Sequence, residues 1–410
     1  MKSIALMAML LLLGASSAVY SQVDRRSSLA EAGKAALDRG DLDIAIEVFT
    51  ELVRSHPESA VGYYGRGVSH AKKGDFKRAV VDLSETIRLD PKQPRAFFNR
   101  GVCLEEQQEW TSAIADYSEA IRLNPDDVPS LYRRALLHER LGNHAQAVSD
   151  LTRAIAMDGS NAILFQMRAR ALRNAGELRM ARTDCNAAIR LVPRSASAYQ
   201  ERGRVFLAMR QFAKALADFD AAIKLDPRDA TAYCGRGDVH QASGDFEKAI
   251  ADCSKAIQLD AKSSEAFVSR GWAYVEADET AKAIIDFNEA IRLNPEQAAA
   301  YNGRACAHLR RRDFRNAIAD SSAAVRLSPN NVEYRFYRGA AYLENQDFDR
   351  AILDFCEVIR MDPKNARAYY GRGYAYALKG NISEAKKDIA RAKELGYTPP
   401  EEIDVGTSLI

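Results

Sequence analysis

Residues Ala60–Gln93, AVGYYGRGVSHAKKGDFKRAVVDLSETIRLDPKQ, decide the fold, because the chain repeats this 34-residue stretch with substitutions but with no residue inserted or deleted. Copies begin at Arg26, Ala60, Pro94, Val128, Ala162, Ala196, Ala230, Ser264, Ala298, Val332 and Ala366, so that eleven repeats fill residues 26–399. Such self-similarity marks an array in which each repeat buries its apolar face against its neighbours. Residues are therefore also described by their position, 1 to 34, within a repeat.

Each repeat reads as two helices around a turn. Positions 4, 8 and 11 (Tyr63, Gly67, His70) and positions 20, 24, 27 and 28 (Ala79, Leu83, Thr86, Ile87) carry the spacing of one helix face. Position 15 is Gly in six repeats and position 16 is mostly Asp, Asn or Glu, a left-handed helix end followed by a helix cap. Pro at position 32 in eight repeats stops the second helix. Position 8 is only Gly or Ala and position 20 is Ala in all eleven repeats. Gly inside a helix costs roughly 0.5–1 kcal/mol against Ala, and its recurrence implies helices packed too closely for a larger side chain.

These positions resemble the tetratricopeptide repeat family in period and in signature: an aromatic, Gly or Ala, Ala, an aromatic, Ala and Pro. The chain departs from it where Gly159 and Ala261 replace the inter-repeat Pro, where Arg335 takes the aromatic position 4 beside Phe336, and where Cys185, Cys253 and Ser321 fill position 24. The resemblance implies an all-α, right-handed solenoid of antiparallel helix pairs, a concave groove lined by first helices, and protein binding. It implies no substrate. The Lys/Asn clamp for terminal carboxylates found in some members is not matched here.

Ahead of the array, Lys2, the apolar run Ile4–Leu13 and the small-residue region before Asp24 read as a secretory signal peptide over residues 1–23. Export to the periplasm or exterior is expected, with anchoring by an uncleaved segment as the alternative; the run is too short to span a bilayer. Residues 400–410 form a short C-terminal tail. A net charge of +2 argues against a nucleic-acid binder working through phosphates. The six cysteines show no metal-ligand spacing and read mainly as packing residues. His70, His138, His240 and His308 all share position 11, a core position, and no catalytic constellation or phosphate-binding Gly motif occurs. Neither an enzyme, a cofactor nor a metal is expected, and no feature of the sequence sets the oligomeric state.

Arg fills position 7 and Asp position 23 in ten repeats each. Both pairing schemes, within a repeat and between repeats, place the two residues level across a turn. The small residues at positions 3 and 10, which should meet the preceding repeat, favour the second: Asp82 with Arg100, Asp116 with Arg134, and onward to Asp354 with Arg372. Arg66 is then left facing Val48, and Arg66→Ala is expected to be mild.

Positions 2, 5, 9, 12 and 13 vary strongly and, by the resemblance, form the groove wall. Candidate partner-binding residues there are Tyr64, Phe98 and Tyr132 early, Gln166, Arg170, Arg173, Gln200 and Arg204 in the middle, and Trp272, Phe336, Tyr370 and Tyr374 late. Arg suits carboxylates and aromatic rings give anchoring area. The expected function is a non-enzymatic scaffold binding extended protein or peptide segments, an acidic one opposite the basic centre. The alternative is an accessory subunit of an envelope or polysaccharide assembly or secretion machine, docking through its outer surface.

Overall fold

The computed structural model describes residues 25–398, so the expected leader over 1–23 and tail over 400–410 lie outside the described residues. The described residues form 22 α-helices and no strand. After α1 (25–39) and α2 (Leu42–Ser55), every repeat gives a 13-residue helix at positions 1–13, from α3 (Ala60–Lys72) to α21 (Ala366–Leu378). A 14-residue helix follows at positions 17–30, from α4 (Phe76–Leu89) to α20 (Phe348–Met361). α22 (Ile382–Glu394) completes the last pair. The fold class is an all-α helical repeat solenoid. The chain divides between Pro193 and Arg194 into two compact bodies, each described by itself.

The turn chemistry explains why every repeat breaks at the same place. Position 15 adopts positive φ throughout, with Gly at Gly40, Gly74, Gly142, Gly176, Gly244 and Gly380, and with Gln108, Arg210, Asp278, Arg312 and Gln346 forced into the same left-handed conformation. Asp75, Asp245, Asp313 and Asp347, at position 16, accept a backbone N–H of the following first turn.

Within each body, Ala at position 20 is wholly buried, and the position 24 side chain lies between its own repeat's position 8 and position 6 of the next. A Cβ added to Gly203 would fall 2.9 Å from the Phe219 ring, and one added to Gly235 would fall 2.3 Å from it. Phe49 with Gly65, Phe287 with Gly303 and Phe355 with Gly371 repeat this ring-on-glycine contact. Adjacent first helices also touch directly, α3 with α5 (Pro94–Glu106) in the first body and α11 (Ala196–Ala208) through α21 in the second. No second helices come into comparable contact among the described residues. The first helices therefore lie on the inner side of each stack.

The Arg–Asp pairing expected between repeats is not what forms. Arg66 donates through Nε and Nη2 to both oxygens of Asp82, at 2.8 and 2.7 Å, and the same fork joins position 7 to position 23 of its own repeat down to Arg372 and Asp388. Arg66 is thus fully paired, which overturns the expectation of a mild Arg66→Ala. The helix geometry gives the reason. Position 23 adjoins positions 20 and 27 on the stripe that faces the repeat's own first helix, so that Asp82 Cβ would sit 3.1 Å from a Cβ on Gly67. Position 25 lies two residues further round the helix, about 200° away, and faces the following repeat. It supplies the link between repeats: the remaining nitrogen of Arg100 donates to Ser84, that of Arg134 to Ser118, that of Arg270 to Ser254 and that of Arg236 to Asp220. The guanidinium also lies over the position 4 ring, as with Arg66 on Tyr63 at 5.6 Å and Arg304 on Tyr301 at 5.7 Å.

Candidate functional site

The expected groove residues lie on the first helices, and the structure divides them into two kinds. The aromatic ones are half-buried and rest on the core. Phe98 packs on Tyr117 at 5.8 Å, Trp272 stands edge-on to Phe287 at 5.9 Å and Phe336 tilts onto Phe355 at 5.7 Å. Tyr132 packs against the cluster around Leu131 and Leu151. Tyr64 accepts a hydrogen bond from Asn99 Nδ2 at 2.9 Å, and burial pushes its hydroxyl pKa up. Tyr370 stacks on Tyr374 at 6.5 Å, and Tyr397 tilts over it at 5.0 Å. Each ring presents one edge or face outward while its other side completes the packing.

The polar residues of the expected basic centre fall in different bodies, with Gln166, Arg170 and Arg173 in the first and Gln200 and Arg204 in the second. In the first body Glu139, nearly buried, gathers His144 Nδ1 at 2.6 Å, Asn174 Nδ2 at 3.1 Å and Arg170 Nε at 3.8 Å. Gln166 and Arg173 are likewise engaged. In the second body Arg204 Nη1 lies 3.7 Å from Glu201. Burial pushes the nearby Asp238 carboxyl up to about 6, against the opposing pull of Ser269 and the Arg204 charge. Gln200 is only 5% exposed and turns to Asp229 and Thr231, so it does not line an open wall.

The acids Glu139, Glu201 and Asp238 therefore answer the expected basic residues from within the protein. Sequence reasoning did not assign them. A signal was present at position 12, where Glu105 and Glu139 replace the apolar residues found in several other repeats. Together Trp110, Leu136, Glu139, Arg140, Arg170 and Asn174 border a cleft of about 450 Å³ in the first body, with Arg140 over the Trp110 ring at 4.2 Å.

The position 11 histidines pack over the ladder. His70 and His138 are held below the usual imidazole range, first by burial. His240 Nε2 lies 3.8 Å from Asp252. Among the described residues no group of three or more His, Cys, Asp or Glu side chains is placed to hold a metal ion, and no helix is long and apolar enough to cross a membrane.

The family model described as tetratricopeptide repeat matches residues 31–85, 64–128, 132–199, 201–266, 268–332, 302–359 and 338–396. With its helix pairs and close-packed Gly and Ala positions, the chain belongs to the tetratricopeptide repeat family. No curated protein is matched. Among solved structures, the chain is similar to the APC/C hetero-tetramer Cut9–Hcn1, at 13% identity over 94% of this chain and 96% of that one, with a TM-score of 0.56. It is also similar to a tetratricopeptide repeat protein from Parabacteroides merdae ATCC 43184, at 22% identity over 61% of this chain and 99% of that one, with a TM-score of 0.48. At 13% identity the likeness to Cut9–Hcn1 speaks for the fold alone. The family commonly mediates protein–protein interaction and peptide binding.

Proposed function

We propose that the chain is a non-enzymatic, exported scaffold that holds extended segments of other proteins against its first-helix faces. The observation that carries this reading is the set of half-buried rings Tyr132, Trp272, Phe336 and Tyr370, which the core fixes in place while one side stays open. A ring already fixed by packing loses little freedom on binding, and such aromatics are the usual anchors of protein contacts. An acidic segment remains the proposed partner chemistry, and its carboxylates would displace Glu139 from Arg170 and Glu201 from Arg204.

The test is capture from the exported fraction, then measurement of the identified partner against two variants. Trp272→Ala with Tyr132→Ala should weaken binding by roughly tenfold or more, the scale of a lost anchor. Arg170→Ala with Arg204→Ala should weaken it and flatten its salt dependence. Unchanged affinity in both would put the outer surface first. That second reading, docking onto an envelope or polysaccharide assembly machine, draws on Val81, Ile285 and Leu353, which share position 22 and are 69, 66 and 68% exposed. Ile285→Glu with Leu353→Glu would abolish docking of that kind. Export itself is tested by sequencing the native N-terminus, expected between Val19 and Asp24. Intact Met1 in a cytosolic fraction would refute it.

A further inference from the structure

Positions 5 and 24 of one repeat touch wherever both are large, as Phe98 on Tyr117 and Phe336 on Phe355 show. In the repeat beginning at Ala230 both positions are cysteine, Cys234 on α13 (Ala230–Ala242) and Cys253 on α14 (Phe246–Leu259). The same pairing occurs nowhere else in the array: Cys185, also at position 24, faces Gln166 at position 5. Interaction with the Cys234 thiol, and then burial, pushes the Cys253 thiol pKa up. The helices approach closely here, because a Cβ on Gly237, one turn beyond Cys234, would lie 2.8 Å from Cys253 Sγ. Cys253 is buried, whereas Cys234 is half-buried, with its Sγ 3.6 Å from Ser269 Oγ of the next repeat. The neighbouring repeats fill position 24 with Phe219 and Phe287, where this one has Cys253.

We propose that Cys234 and Cys253 form a disulfide linking α13 to α14, made by exchange with a small-molecule or protein disulfide. Cys234, the more accessible thiol, attacks that disulfide as its thiolate, giving a mixed disulfide and releasing one thiol. Cys253 then attacks the Cys234 sulfur and expels the second thiol. Two cysteine S–H bonds and the incoming S–S bond are lost, one new S–S bond is formed, and the two protons and the electron pair end on the two released thiols. The link sits one turn from Asp238 and fixes the first-helix face at that point. It is independent of what binds there.

The full-length chain, folded and treated with oxidised glutathione, would be unfolded without reductant, alkylated and digested with trypsin. Four of the six cysteines should be alkylated, and the peptides 229–236 and 249–255 should appear joined. In Cys234→Ser, Cys253 should be alkylated in full. Alkylation of all six, a glutathione adduct persisting on Cys234, or a link from either residue to any other cysteine would overturn the proposal.

Discussion

At the scale of single residues, the Arg–Asp fork is the most exacting feature of the interior. Asp82 is 4% exposed and takes both of its charge-assisted hydrogen bonds from Arg66. Arg66→Ala should therefore cost about 3–5 kcal/mol, the usual penalty for a buried carboxylate left alone, and Arg236→Ala should cost a similar amount by stranding Asp252. Urea unfolding of the two variants checks this; a mild loss for Arg66→Ala alone would restore pairing between repeats. The histidines add a pH dependence. Burial holds His70 and His138 below 6.5, so the unfolded chain binds more protons as the pH falls. Stability should be full above that value and should decline as the pH drops through the folded-state pKa. Melting His70→Leu between pH 7 and about 5 should show a flatter decline than the parent.

At the scale of helices, the register was legible in the sequence and the pairing was not. Gly or Ala at position 8 and Ala at position 20 announced close helix contact, and the structure places both at that contact. The ladder was misread because the two schemes look alike from spacing alone. One signal does separate them: the first repeat has Ala32 at position 7 and Val48 at position 23, so it lacks Arg and Asp together. A second was the polar run at position 25, Thr50, Ser84, Ser118 and Thr152, which had no role until Arg was seen reaching it. The exchange of bulk between repeats was also written in the chain, with each Phe at position 24 followed by Gly at the next position 6. Gly235→Ala should push a methyl into the Phe219 ring, which Gly203 confines on its other side, and lose about 1–3 kcal/mol. Phe219→Leu in that background should recover part of the loss, and equal destabilisation with either residue at 219 would refute the coupling. The candidate face was less legible: the sequence showed which side chains vary, but not that Gln200 would turn to Thr231 or that Glu139 would answer Arg170.

At the scale of the whole molecule, a near-neutral net charge is distributed as many local cancellations, inside in the forks and outside in pairs such as Glu85 with Arg88 and Glu289 with Arg292. The forks close within a repeat, while the remaining nitrogen of Arg66, Arg100, Arg134, Arg168, Arg236, Arg270, Arg304 and Arg372 reaches back to the repeat before it. Assembly along each body thus has a direction. A repeat leaving the ribosome brings its own counter-charge, and the position 25 side chain that most of these Arg also reach stands on a surface already folded. Growth from the amino end never leaves a buried ion waiting for sequence not yet made. Trimming repeats from the carboxyl end of the second body should then remove stability in even steps, whereas trimming from its amino end should strip a partner from the Arg newly at the edge. Stepwise truncations compared by denaturant midpoint would read this polarity directly, and matched losses from the two ends would refute it.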